Sequence, residues 1–63
     1  MKKRKLERYL GDHGCALKRY GKEHDVWYNT KNFKTSTIPR DSEIDDWLAA
    51  KICKDLQVNR PKK

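Results

Sequence analysis

The architecture of this chain turns on His24-Asp25-Val26-Trp27-Tyr28, Asn29-Thr30-Lys31-Asn32 and Phe33-Lys34-Thr35-Ser36-Thr37-Ile38, closed by Pro39. The first and third segments are rich in aromatic and β-branched residues, which suit a pleated, half-buried surface. Between them stands a cluster of turn formers, whose short polar side chains bond their own backbone. Proline has no amide hydrogen for a ladder and ends the second run. The spacing therefore predicts strands over 24–28 and 33–38. Upstream, Cys15-Ala16-Leu17-Lys18-Arg19-Tyr20 reads as a strand over 15–20, closed by Gly21. Such short connections allow only an antiparallel meander.

Helical patterns flank the meander. Leu6, Tyr9, Leu10 and His13 recur at i, i+3, i+4 and i+7, predicting a helix over about 3–13 with Gly14 as its stop. Ile44, Trp47, Leu48, Lys51, Ile52, Asp55 and Leu56 make a second stripe, in which the stem of Lys51 can lie along the apolar side chains. Ser42 with Asp45 resembles a capping box, and Glu43, Asp45 and Asp46 are expected in a first turn that favours negative charge. That role accounts for the acidic cluster without a metal. The expected order is α-β-β-β-α. It makes an α+β domain with two helices on one face of a three-stranded antiparallel sheet and the other face open. Residues 1–63 are read as one domain with a basic tail, Asn59-Arg60-Pro61-Lys62-Lys63, expected to fray.

Composition narrows the function. At 63 residues the chain has no room for a dinucleotide fold or a deep pocket. Hydrophobic residues are 35% and charged residues 40%, against roughly 45–50% and 25% in ordinary domains. Sixteen Lys and Arg face nine Asp and Glu, for a net charge of +7. Residues 1–40 hold eleven basic and four acidic side chains, whereas 41–63 hold five of each. A polyanion is thus expected on the first two thirds. The longest apolar runs are two or three residues, far short of the roughly 20 a membrane helix needs, so no membrane association is expected. The basic start, Met1-Lys2-Lys3-Arg4-Lys5, lacks the apolar stretch of a secretory signal, and a cytoplasmic location is expected. Cys15, Cys53, His13 and His24 match no zinc-finger spacing, and the cysteines read as buried thiols of a reducing compartment. Neither a metal nor another cofactor is called for.

Few residues here suit chemistry. There is no Ser/His/Asp set, no glycine-rich phosphate loop and no isolated carboxylate pair. His13 lies on the apolar stripe of the first helix near its end, where it reads as a packing or capping residue. His24 begins a strand beside Lys18, Arg19 and Lys22. An imidazole exchanges protons near neutral pH, and the cations around it suit an RNA phosphate. Strand parity puts His24, Val26 and Tyr28 on one face and Asp25, Trp27 and Asn29 on the other. If His24 serves RNA on the open face, Trp27 belongs to the core, and Tyr28 is exposed and able to stack on a base. A bulge after Gly21 would reverse this.

The run Gly21-Lys22-Glu23-His24-Asp25-Val26-Trp27-Tyr28, with Thr37-Ile38-Pro39-Arg40, Glu43-Ile44 and Leu48-Ala49-Ala50-Lys51-Ile52-Cys53-Lys54-Asp55-Leu56, resembles HicA-type mRNA interferase toxins. The resemblance runs from about Leu6 to Val58. It implies a double-stranded-RNA-binding-like fold, RNA cleavage without a metal by one histidine, and a toxin–antitoxin pair in which a HicB-type antitoxin forms a hetero-oligomer with the toxin. His24 falls on the family's catalytic histidine and Gly21 on its preceding glycine. Two positions depart from many members. Lys22-Glu23 stand where glycine, serine or asparagine precede the histidine, and Asp41 follows Pro39-Arg40 where a second histidine is common.

The expected function is therefore that of an mRNA interferase. The RNA 2′-hydroxyl attacks its own phosphate, His24 is the general acid or base, and Lys18, Arg19, Lys22, Lys34 and Arg40 hold the phosphates. Water, Lys22 or Tyr20 serves as the second proton-transfer group. The alternative is a module of the same fold that binds RNA without cutting it. A third reading, a basic surface that meets an acidic protein, is compatible with the first, since an antitoxin must cover His24.

Overall fold

A computed structural model describes residues 1–59. Its elements are α1 (Lys3–Asp12), β1 (Cys15–Tyr20), β2 (His24–Asn29), β3 (Thr35–Pro39) and α2 (Asp46–Asp55). The strands form one antiparallel sheet in the order β1-β2-β3. The α-β-β-β-α order and open three-stranded sheet are those expected. Arg60, Pro61, Lys62 and Lys63 of the expected tail lie outside the described residues.

Both helices lie on one sheet face, because the buried strand side chains share one parity. Asp25, Asn29, Ser36 and Ile38 are buried, while His24, Thr35 and Thr37 are exposed. Each helix makes polar contact with that buried face. Lys3 of α1 reaches Asp25, Asp55 of α2 accepts from the Ser36 hydroxyl at 3.2 Å, and the carbonyl of Leu56 accepts from Asn29 Nδ2 at 2.8 Å. The core is small. Leu6 and Leu10 of α1 meet Ala49, Ile52, Cys53 and Leu56 of α2 over Cys15, Ile38 and Ile44. Trp27 is half-buried against this cluster, on the side its parity assigned.

Four expectations are corrected. The first concerns the phase of the second helix. Residues before it run extended beside the amino terminus: Lys2 bridges Glu43, and the Ile44 amide donates to the Met1 carbonyl at 2.7 Å. Ile44 is thus buried without being helical, and helical spacing cannot be counted from it. The buried stripe is Ala49, Ile52, Cys53 and Leu56, at i, i+3, i+4 and i+7. Trp47, placed on the core stripe from sequence, is 66% exposed. Lys51 is exposed and pairs with Asp55 at 3.2 Å rather than lining the core.

The second correction follows from the first. With the helix starting at Asp46, Asp45 is the N-cap and makes no side-chain cap bond, so Ser42 and Asp45 form no capping box. Of the three acids expected in the first turn, only Asp46 is there. Glu43 instead takes hydrogen bonds from Lys2 and the terminal amine, which hold its carboxyl below the usual range. Third, β3 begins at Thr35 rather than at Phe33, because asparagine side chains extend the turn. Asn29 Oδ1 accepts from the Lys31 amide at 2.9 Å, and Asn32 Oδ1 accepts from the Lys34 amide at 2.8 Å. Fourth, Tyr28 is half-buried rather than exposed, since Phe33 and Leu17 border the same depression.

Other details agree with the sequence. Helix α1 ends one residue before the expected limit. Gly14 takes φ +85°, a left-handed value that suits glycine at a helix end. His13 is the C-cap residue, exposed, with Nδ1 2.8 Å from the Tyr9 carbonyl and its ring 4.1 Å from that of Tyr9. It serves neither core nor sheet face. The one register shift falls between Leu17 and Arg19 in β1, not after Gly21, so the parity of β2 is undisturbed.

Candidate nucleic-acid interface

The open face of the sheet carries His24, Val26 and Tyr28 from β2 and Thr35 and Thr37 from β3. Across from Val26 on β1 stands Arg19, with Lys18 as the extra residue of the bulge. Lys22 precedes His24 in the β1–β2 loop, and Lys34 immediately precedes β3. All four cations are exposed. Among the described residues they form no ion pair, whereas Lys2, Lys3 and Lys51 are each paired with an acid. Their charge therefore faces solvent without an internal counter-charge, which makes the surface attractive to phosphate.

His24 owes its position to the tightness of the loop before it. A Cβ added to Gly21 would stand 2.0 Å from the His24 carbonyl oxygen, so a side chain at residue 21 and this backbone path exclude each other. The loop is also clasped from the end of β3. Arg40 Nη2 donates to the Gly21 carbonyl at 2.6 Å, its guanidinium lies 5.8 Å from the Tyr20 ring centroid, and it stands 3.2 Å from Asp25 Oδ1. The last contact is an ion pair without hydrogen-bond geometry, for that oxygen has no hydrogen-bond partner. The other oxygen of Asp25 accepts from Lys3 Nζ at 3.0 Å. A buried carboxylate thus ties α1 to the segment after β3, directly behind the strand that presents His24.

The expected site residues accordingly separate into two groups. His24, Lys18, Arg19, Lys22 and Tyr28 are placed on or around the open face, and Lys34 stands beside Asn29 at the end of the sheet away from His24. Gly21 and Arg40 shape the loop that sets His24, and one of the guanidinium donors of Arg40 is taken by the Gly21 carbonyl. Sequence reasoning missed Asp25 and Lys3, although parity had already put Asp25 on the helix face. A carboxylate there needs a cationic partner, and that requirement was the available signal. It also missed Arg4, which with Lys2, Lys3 and Arg40 borders a second, basic depression of about 470 Å³.

The remaining titratable groups with displaced pKa values lie away from this face. Burial pushes the thiols of Cys15 and Cys53 up, and the proximity of Cys15 adds to the effect at Cys53. Burial and Cys53 also raise the Tyr9 hydroxyl. Among the described residues, no three His, Cys, Asp or Glu side chains are grouped so as to hold a metal ion. No helix among them is long and apolar enough to cross a membrane. No protein-family model, curated protein or solved structure matches this chain significantly.

Proposed function

We propose that the chain is an RNA-cleaving toxin of the mRNA interferase type, acting in the cytoplasm and held inactive by an antitoxin protein. The observation that supports this reading is the exposed imidazole of His24 at one end of an open sheet face, with exposed Lys18, Arg19 and Lys22 on β1 and the loop after it and Lys34 at the opposite end of the sheet, all four without an ion-pair partner among the described residues. Lys18, Arg19, Lys22 and Lys34 bind the RNA phosphates, and His24 meets the ribose. Neutral imidazole takes the proton of a 2′-hydroxyl as that oxygen attacks the adjacent phosphorus. The bond to the 5′-oxygen breaks, and that oxygen gains a proton from water or Lys22. The products are a 2′,3′-cyclic phosphate and a 5′-hydroxyl. Lys22 lies in the loop that ends at His24, whereas Tyr20 pairs with Asp25 and so falls on the other face of the sheet from His24.

General acid–base help of this kind is worth about 10²–10⁴-fold. The test is cleavage of a labelled mRNA fragment in EDTA by wild type and His24→Ala, with product ends identified. A fall of that size and cyclic phosphate ends are expected. Equal cleavage by both proteins removes His24 from the chemistry.

A non-catalytic RNA-binding module is the second reading. It is favoured by the presence of only one histidine on the face, with Glu23 beside it where a phosphate would approach. Wild type that binds RNA and leaves it intact over hours selects this reading. Either way, four phosphate contacts give a slope of about −3 for log affinity against log salt on single strands. The antitoxin's surface is expected to be acidic where it covers His24 and the four cations. Undiminished antitoxin affinity after neutralising Lys18, Lys22 and Lys34 would contradict that.

A further inference from the structure

The β2–β3 turn holds an aromatic residue in a backbone conformation that aromatic residues avoid. Phe33 has φ +60° and is 75% exposed. A left-handed conformation is disfavoured for residues other than glycine, and such strain persists only where its surroundings impose it. Here they do. The Phe33 amide donates to the Asn29 carbonyl at 2.8 Å, and the Asn29 amide donates to the Lys34 carbonyl at 2.9 Å. Asn29 is itself buried and donates to the Leu56 carbonyl, so the turn is anchored on the end of α2. Asn32 Nδ2 donates to Gln57 Oε1 at 3.2 Å, a second tie to the same end. A rigid turn thus presents a phenyl ring to solvent, where burial contributes nothing to its stability.

Beside that ring lies a depression of about 360 Å³ on the open face, bordered by Tyr28, Leu17, Thr35 and Lys18. The volume is at the lower end of the roughly 300–1,000 Å³ range of small-molecule sites. Two aromatic side chains, a hydroxyl and an ammonium around a shallow hollow offer what a nucleobase requires: flat apolar surface for its ring and polar groups for its edge and phosphate. The geometry points to a stacking site for one unpaired RNA base between Phe33 and Tyr28, with the adjacent phosphate on Lys18 or Lys34. This rests on reading the sheet face as an RNA surface and specifies which part of the RNA it takes: an unpaired base rather than a continuous duplex. Tyr28 is four positions along β2 from His24, about 13 Å at the usual strand rise. The stacked base is therefore no more than about four nucleotides from the phosphate at His24, taking a stacked rise of about 3.4 Å.

Anisotropy titrations with a fluorescein-labelled single-stranded RNA and the matching duplex test this. Wild type, Phe33→Ala and Phe33→Tyr are compared over a range of salt. Loss of one base–aromatic stack weakens single-strand binding by about 5- to 150-fold. The expected result is a loss in that range for Phe33→Ala on the single strand, little change on the duplex, an unchanged salt slope and recovery with Phe33→Tyr. Thermal melts establish that each variant is folded. If wild type binds RNA salt-dependently and Phe33→Ala binds the single strand equally well, the stacking site is refuted and the RNA reading stands; the ring then belongs to a protein contact. Equal losses on single strand and duplex also refute it. Failure of wild type to bind either RNA overturns the RNA reading and the stacking site together.

Discussion

Replacing Asp25 with asparagine should come close to unfolding this protein, and the structure supplies the magnitude. The carboxylate is 5% exposed and faces Lys3 Nζ at 3.0 Å, with the Lys3 side chain 16% exposed. At an effective dielectric near 20, the direct attraction at that distance is about 5 kcal/mol, before the opposing loss of hydration. The amide keeps the shape but leaves a largely buried ammonium without a counter-charge. Removing one member of a buried pair costs about 3–5 kcal/mol. Arg40 adds little to the total, since its side chain is 47% exposed and can turn to water. Single domains have stabilities of about 0.05–0.15 kcal/mol per residue, which for this chain is only about 3–9 kcal/mol. Asp25→Asn should therefore remove a third or more of the total. Urea denaturation followed by the fluorescence of Trp27 and Trp47 measures this. Lys3→Met in the Asp25→Asn background should restore part of the loss, giving a coupling of about 0.5–3 kcal/mol. A loss below about 0.5 kcal/mol for Asp25→Asn, or strict additivity with Lys3→Met, would refute the buried pair as a stabilising element.

Three further outcomes are expected. Gly21→Ala forces the loop away from the His24 carbonyl, so it should destabilise by about 1–3 kcal/mol, with amide shifts concentrated around residues 20–24 and Arg40 in NMR spectra. Trp47→Ser should change stability by no more than about 0.5 kcal/mol in urea, because the indole is on the solvent side of α2; a loss of several kcal/mol would return it to the core. The buried thiols of Cys15 and Cys53 hold their protons beyond the ordinary value of 9.0, so above that pH the unfolded chain binds fewer protons than the folded one. Stability present below that value should fall as pH rises through the folded values, and the Cys15→Ala, Cys53→Ala double variant should lack this contribution to the decline in the urea midpoint.

The elements most legible from sequence were those with local causes. The strand at Cys15–Tyr20 was bounded by glycines, and the one starting at His24 was set by its β-forming residues. The α1 stripe needed only the spacing of Leu6 and Leu10. Strand parity, a property of the backbone alone, also separated His24 from Trp27 correctly. The errors came where distant segments meet. Ile44 looked like the start of a helical stripe, but its amide is claimed by the Met1 carbonyl, and that long-range contact moves the helix start to Asp46 and turns Trp47 outward.

The candidate interface divides along the same line. A basic, small, three-stranded domain with a histidine at a strand end could be read from the order of residues, because charge, propensity and alternation are properties of neighbours in the chain. Which cations remain available could not. Lys3 and Arg40 are drawn to Asp25 from opposite ends of the fold, whereas Lys18, Arg19, Lys22 and Lys34 have no acidic partner among the described residues. The exposure of Phe33 was equally hidden, since a phenylalanine among threonines reads as strand. It is presented to solvent because Asn29 and Asn32 spend their side chains on the turn and on the end of α2, and those bonds exist only once the helix has docked.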